Sequence, residues 1–296
     1  MTSVLVTGSN RGIGLETVFA LARAGHKVYA TMRDLSKGAE LSKAIARENL
    51  PVEIYALDVD SDASVAAAVG AIREKDGTID VLVNNAGIGR LGSVEELPME
   101  TFRAGMETNF FGALRCTRAV LPEMRKRKSG CIVNVTSAAG RVAMAPFAMY
   151  APSKFALEAL SEILAQEVKP FNIRVAIVEP GVIDTAMPRS VVVPPSLPSP
   201  YPHTRRYAGF FSAALKVAMP PSKVGDAIRG IVESESWQLR YPVFGEGLIG
   251  WRAGMTDEAW VDSGALDDEG WYRRIEKDLG LNARSASTVI HSEAAR

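Results

Sequence analysis

The chain has 296 residues, 34 Lys+Arg balanced by 34 Asp+Glu, 47% apolar side chains, 25 Gly and two Cys. A formal net charge of zero argues against a nucleic-acid binder, which needs a basic face to displace counterions. Cys116 and Cys131 have no metal-ligand spacing, the N-terminus turns glycine-rich before a signal-peptide core can form, and no apolar run reaches about 20 residues. These features lead us to expect a cytoplasmic protein with no membrane span.

Short β-branched runs alternate with stretches of helical period, the pattern of βαβ units in a parallel sheet. Val- and Ile-rich runs predict strands over 4–7, 27–31, 53–56, 81–84, 131–135 and 174–178, apolar on both faces. Helical spacing predicts helices over 14–24, 38–47, 63–75, 99–127 and 150–168. The fourth helix ends in Arg125-Lys126-Arg127-Lys128, a charge run suited to the negative pole of a helix. The alternation stops at Pro188, because prolines at 188, 194, 195, 198, 200 and 202 exclude helix and central strand alike. Helices over 203–219 and 222–236 and a strand over 238–244 are expected next, followed by short outer helices marked by Trp251, Trp260 and Trp271. The small, polar tail 283–296 is expected to be partly disordered. The reading is an α/β, doubly wound parallel sheet of about seven strands. One domain over 1–245 carries a lid at 188–220, and a helical extension over 246–296 packs on it.

Gly8, Ser9, Asn10, Arg11, Gly12, Ile13 and Gly14 join the first strand to the first helix. Glycines there allow a tight turn and close backbone approach to a pyrophosphate, and the helix start offers N–H groups and a positive dipole end. The spacing is G-x-x-x-G-x-G, and no Gly-Lys-Ser/Thr follows, which disfavours a P-loop. About 20 residues on, where a carboxylate would select NAD, Met32 stands with Arg33 after it. A guanidinium suits a 2′-phosphate, and Arg11 adds a second cation, so NADP(H) is the expected cofactor. The competing reading pairs Arg33 with Asp34 on the surface. Asp58, after the third strand, could accept from the adenine amino group with Val59 flanking the ring.

Tyr150 and Lys154 stand four apart on a predicted helix and leave it on one face. A nearby ammonium favours phenolate and would bring a phenol toward the working range. Ser137 follows the fifth strand and Asn84-Asn85-Ala86-Gly87 ends the fourth, at the carboxyl edge where open α/β sheets gather ligand groups. Asn109 lies mid-helix between Gly105 and Gly112, a poor helix former whose presence signals a function or a kink.

In their order and spacing these residues, with Pro180-Gly181, resemble the short-chain dehydrogenase/reductase family over about residues 2–188. The segments 28–34 and 150–158 are similar to the branch of 17β-hydroxysteroid and retinol dehydrogenases. The resemblance implies that Tyr150 exchanges a proton with the substrate oxygen, that Lys154 lowers the Tyr150 pKa and holds the nicotinamide ribose, and that Ser137 binds the substrate oxygen. It implies that Asn109 holds a water leading from Lys154 to solvent. It places Asn85, Ala86, Gly87, Pro180, Gly181, Val182, Ile183 and Thr185 against the cofactor, Thr185 at the carboxamide. A homodimer or homotetramer is also implied.

Ile88, Leu91, Val142, Met144, Pro146, Phe147 and Met149 are expected near the pocket mouth, with residues 191–193, Phe210 and Phe211 as a lid. Such a lining suits a bulky hydrophobic alcohol or ketone, although Met and Phe there also read as ordinary core. Arg90 and Arg141 could reach a polar end of the substrate, or simply be solvated. A serine hydrolase is disfavoured, since no G-x-S-x-G exists and His26, His203 and His291 fall outside site segments. A metalloenzyme is disfavoured by the lack of clustered ligands. A non-catalytic NADP(H)-binding regulator would be expected to lose the Tyr, the Lys or the Ser. An NAD-preferring member of the family with a smaller polar substrate is the other alternative.

Overall fold

The computed structural model describes residues 1–191 and 199–284. Residues 192 and 193 of the expected lid, Pro194, Pro195 and Pro198, and the tail beyond 284, including its expected disorder, lie outside the described residues. The first half runs β1 (Ser3–Val6), α1 (Gly12–Arg23), β2 (Lys27–Met32), α2 (Ala39–Glu48), β3 (Val52–Ala56), α3 (Asp62–Asp76) and β4 (Val81–Asn84). Next come α4 (Met99–Met106), α5 (Gly112–Arg127), β5 (Gly130–Val135), α6 (Tyr150–Val168) and β6 (Ile173–Pro180). The chain continues through α7 (Ala186–Val191), α8 (His203–Ala214), α9 (Ser222–Glu233) and β7 (Arg240–Val243). It closes with α10 (Glu246–Ala253), α11 (Asp257–Asp262) and α12 (Asp268–Leu279).

All pairings are parallel, and the strand order is β3-β2-β1-β4-β5-β6-β7. The order reverses between β1 and β4, and a crevice opens at the carboxyl ends of the strands there. Side chains alternate across the sheet. Val4 and Val6 of β1 enter one core layer with α1, α2 and α9, while Leu5 enters the other with α3, α5 and α6.

Two expectations need correction. The helix predicted over 99–127 is helical throughout but contains a π-turn, Glu107–Phe111, centred on Asn109. An extra residue in the turn re-aims a side chain, as π-bulges often do at functional sites. Helix α7 runs through Pro188, because the third position of a helix has no intrahelical N–H bond to lose. The outer helix α12 faces inward through Trp271, which is buried in a third hydrophobic cluster with Phe147, Tyr207, Phe210 and Phe211.

Candidate active site

Gly8 and Gly12 take positive φ values of 68° and 57°. A Cβ on Gly14 would lie 2.3 Å from the Gly8 carbonyl oxygen and 2.5 Å from the Asn85 amide nitrogen. The loop is therefore folded down onto β4 as only glycine allows. Thr7, just before Gly8, makes the join: its hydroxyl accepts from the Asn85 and Ala86 N–H groups, each at 3.0 Å. Asn85 Nδ2 donates back to the Thr7 and Gly8 carbonyls at 2.9 and 3.2 Å. No side chain caps the start of α1, and its first turn carries no carboxylate. Its N–H groups and dipole are thus left for an anion, and the cradle fits a dinucleotide pyrophosphate.

Gly8, Asn10, Arg11, Gly12, Ile13, Gly14, Arg33, Asp58, Val59, Asn85, Ala86 and Gly87 line one cleft of about 970 Å³. Pro180, Gly181, Val182, Ile183 and Thr185 line its opposite wall, with Tyr150, Lys154 and Ser137 between. Ser9 does not line it: this buried side chain braces the loop by donating to the Val6 carbonyl at 2.8 Å. The Asp34 carboxylate accepts from the Ser36 N–H at 3.0 Å and lies 3.6 Å from Lys37. Among the described residues Arg33 makes no ion pair with it, and it stays at the cleft.

At the other end of the cleft, α6 starts at Tyr150, so Pro152 takes an early position that tolerates it. The Tyr150 hydroxyl has the Ser137 side chain beside it, and Lys154 Nζ lies 5.7 Å from the Tyr150 ring centre. Lys154 is only 4% exposed and donates to the Val135 carbonyl at 2.9 Å. Ser137 Oγ accepts from the Ala139 N–H at 3.1 Å and approaches the Pro180 carbonyl at 3.3 Å. Burial pushes the Tyr150 phenol above its ordinary value, with the Ser137 side chain working the other way. Burial also pulls Lys154 down to about 8, opposed by the field of Glu158. The sequence led us to expect an ammonium lowering the phenol; in the protein's own environment desolvation dominates both groups.

Asn109 does not line the cleft. Its Oδ1 accepts from the Ile88 N–H at 2.8 Å, and its Nδ2 donates to the Ile88 carbonyl and to Ser153 Oγ, both at 2.9 Å. Ser153 in turn donates to the Tyr150 carbonyl at 2.7 Å. The π-turn thus fixes the loop after β4 against the first turn of α6, and Gly87 sits where a Cβ would meet both Asn109 Oδ1 and Lys154 Nζ.

On the substrate side, Ile88, Leu91, Met144, Phe147, Phe210 and Phe211 line the cleft, whereas Val142 and Met149 are core. Arg141 reaches no part of the cleft and pairs with Glu179 at 3.1 Å, while Arg90 stays exposed on its lining. Leu248 of α10, Leu279 of α12 and Leu281 just beyond it complete the wall. Nothing in their local pattern distinguishes them from the buried stripe of any amphipathic helix.

A sheet edge that offers an anion cradle beside a phenol and an ammonium defines a dinucleotide-dependent oxidoreductase of the doubly wound class. A family model for short chain dehydrogenases matches residues 2–193. Retinol dehydrogenase 8 of Bos taurus is 44% identical over 188 residues, which span 62% of this chain and 59% of that one. The Homo sapiens protein of the same name is 38% identical over 252 residues, 80% of each chain. The Mus musculus 17-beta-hydroxysteroid dehydrogenase type 1 is 34% identical over 252 residues, 81% of this chain and 73% of that one. Among solved structures, a short-chain dehydrogenase from Streptomyces avermitilis matches with a TM-score of 0.74 at 32% identity, covering 90% of this chain and 98% of that one. A metagenomic short-chain oxidoreductase in complex with NADP matches at 0.67 and 26% identity, over 82% and 96% of the two chains. The chain belongs to the short-chain dehydrogenase/reductase family, in the branch of the retinol and 17β-hydroxysteroid dehydrogenases.

Proposed function

We propose that the protein is an NADP(H)-dependent oxidoreductase interconverting a secondary alcohol and a ketone, or an alcohol and an aldehyde, on a bulky hydrophobic substrate. The reading is carried by the convergence of Tyr150, Ser137 and Lys154 on a cleft whose outer half is lined by Leu, Met and Phe side chains. NADP(H), when bound, supplies or takes up the hydride. The loop from Gly8 to Gly14 would hold its pyrophosphate, Arg11 and Arg33 a 2′-phosphate, and Asp58 and Val59 the adenine. Asn85, Ala86, Gly87, the segment from Pro180 to Ile183, and Thr185 would hold the remainder.

Tyr150, kept protonated by its burial, donates to a substrate carbonyl oxygen in the reductive direction. Ser137 holds that oxygen and stabilises the alkoxide charge as it develops. In the oxidative direction the phenol must first lose its proton, at about 1.4 kcal/mol for each pH unit between its pKa and the medium. Lys154 supplies the adjacent positive charge, and the remaining lone pair of Asn109 Oδ1 can hold a water that relays protons from it. Phe210 and Phe211 of α8, with Leu248, Leu279 and Leu281 from the C-terminal segment, would close the apolar half. Two or four copies are proposed to associate through the outer faces of α5 and α6, in the cytoplasm. Among the described residues no helix is long and apolar enough to cross a membrane.

Tyr150→Phe tests the assignment. NADPH binding, followed by fluorescence, should stay near wild type while turnover of a hydrophobic ketone falls by about 10²–10⁴. Retained turnover would refute the assigned acid.

A further inference from the structure

Behind the Tyr150–Lys154 pair lies a buried charge cluster that the reaction as described does not use. Glu158 stands one helical turn after Lys154 on α6, so the two side chains share a face. It is only 4% exposed, and Glu179, at the end of β6, only 1%. Burying two carboxylates costs several kcal/mol each unless they are paired, so their partners define the cluster. Thr136 Oγ1 donates to Glu158 Oε1 at 2.6 Å. Arg240 Nε, on β7, lies 3.1 Å from Glu158 Oε2 and 3.3 Å from Glu179 Oε1. Arg141 closes the far side of Glu179, and the half-exposed Glu162 takes the other end of the Arg240 guanidinium.

Three consecutive residues after and at the end of β5 each face a residue of α6 at helical spacing. Lys154 holds the Val135 carbonyl, Glu158 the Thr136 hydroxyl, and Tyr150 has Ser137 beside it. Among the described residues, the Val135 carbonyl of β5 accepts from Lys154 and Gly87 lies against its ammonium, and neither carries a charge. Glu158 is therefore the carboxylate acting on an ammonium that burial would otherwise neutralise.

We propose that Glu158 is a positioning residue for the reaction: anchored by Thr136 and Arg240, its carboxylate keeps Lys154 cationic beside Tyr150. This rests on the assignment of Tyr150 and Lys154 as the reacting pair. The field of an anion stabilises an ammonium and disfavours a phenolate, so it raises both pKa values. Removing it must lower them, whichever group titrates first.

The test titrates Lys154 directly, from the side-chain carbon resonance of labelled lysine assigned by its loss in Lys154→Met. Glu158→Gln keeps an acceptor for Thr136 and removes the charge. The Lys154 midpoint, about 8 in the wild type, should fall by about half a pH unit or more in that variant. In Glu162→Gln, which removes the half-exposed charge on the same guanidinium, it should stay within about 0.2 unit. An unchanged midpoint in a folded Glu158→Gln protein overturns the proposal. Should Glu158→Gln fail to fold, the coupling is read from the other side, since it is reciprocal. In Lys154→Met the Glu158 carboxyl carbon should then titrate at higher pH than in wild type, and an unshifted carboxyl overturns the proposal equally. Neither titration needs a substrate, so a failure here leaves the functional reading standing; turnover by Tyr150→Phe would remove that reading instead.

Discussion

At the end of the cleft proposed to take the adenosine, single side chains would decide the cofactor. Met32 ends β2 with its sulfur against Gly38, and Arg33 beside it is left at the cleft by an Asp34 that turns back onto Ser36 and Lys37. A carboxylate at 32 would accept from ribose hydroxyls and repel a 2′-phosphate, and loss of Arg33 would remove the phosphate's partner. Met32→Asp with Arg33→Ala should therefore move the NADPH-to-NADH ratio of kcat/KM toward NADH by about tenfold or more; an unmoved ratio would mean the ribose pocket has been misplaced. Gly14→Ala is sharper still. Its Cβ would sit 2.3 Å from a backbone oxygen, so the loop must shift. We expect an overpacking loss of about 1–3 kcal/mol in thermal unfolding together with weakened NADPH binding, and wild-type values for both would contradict the cradle. Residues of this kind are legible in a sequence because the chemistry demands a residue type at a fixed local spacing. Thr7, Ser153 and Glu158 were not legible, because their meaning lies in partners far along the chain, such as Arg240, 82 positions beyond Glu158.

At the scale of elements, the helices that carry the proposed catalytic groups announce themselves by local signals. Asn109 between two glycines marks the π-turn, and α6 begins at Tyr150 with Pro152 in its first turn. The C-terminal helices give no such signal. Amphipathic spacing says that one face is buried but not against what. In the fold, Arg205 and Arg206 of α8 both bind Asp268, the first residue of α12, and Tyr207 packs on Trp271 at 5.5 Å between ring centres. This docks α12 on α8, and Leu279 and Leu281 follow at the cleft beside Leu91, Met144 and Tyr150. The extension is thus a wall of the apolar half. Leu281→Ala should raise KM for a bulky hydrophobic ketone by about 5–50-fold while leaving NADPH affinity alone. Identical KM values in steady-state assays would show that substrates lie elsewhere.

For the whole molecule, the alternation of short apolar runs and helical periods dictates a parallel sheet, and the crossover rule leaves few strand orders to choose from. What alternation does not disclose is which outer helix faces remain uncovered. On α6 the exposed positions Pro152, Phe155, Ala159 and Ile163 fall at helical spacing, with Phe155 40% and Ile163 53% exposed. Phe111, in the π-turn leading into α5, is 42% exposed. An apolar stripe along a helix is costly to leave in water, at about 25 cal/mol per Å². A second copy presenting the same stripe about a two-fold axis would cover both at once, since such an interface is self-complementary. Light scattering at micromolar concentration should then give a mass at least twice the 31.8 kDa of one chain. Phe155→Glu with Ile163→Glu, both outward-facing, should return it to one chain without unfolding, because charges there oppose each other across the axis. A wild-type protein that scatters as a single chain would leave these side chains as ordinary exposed surface and end the case for association through α6.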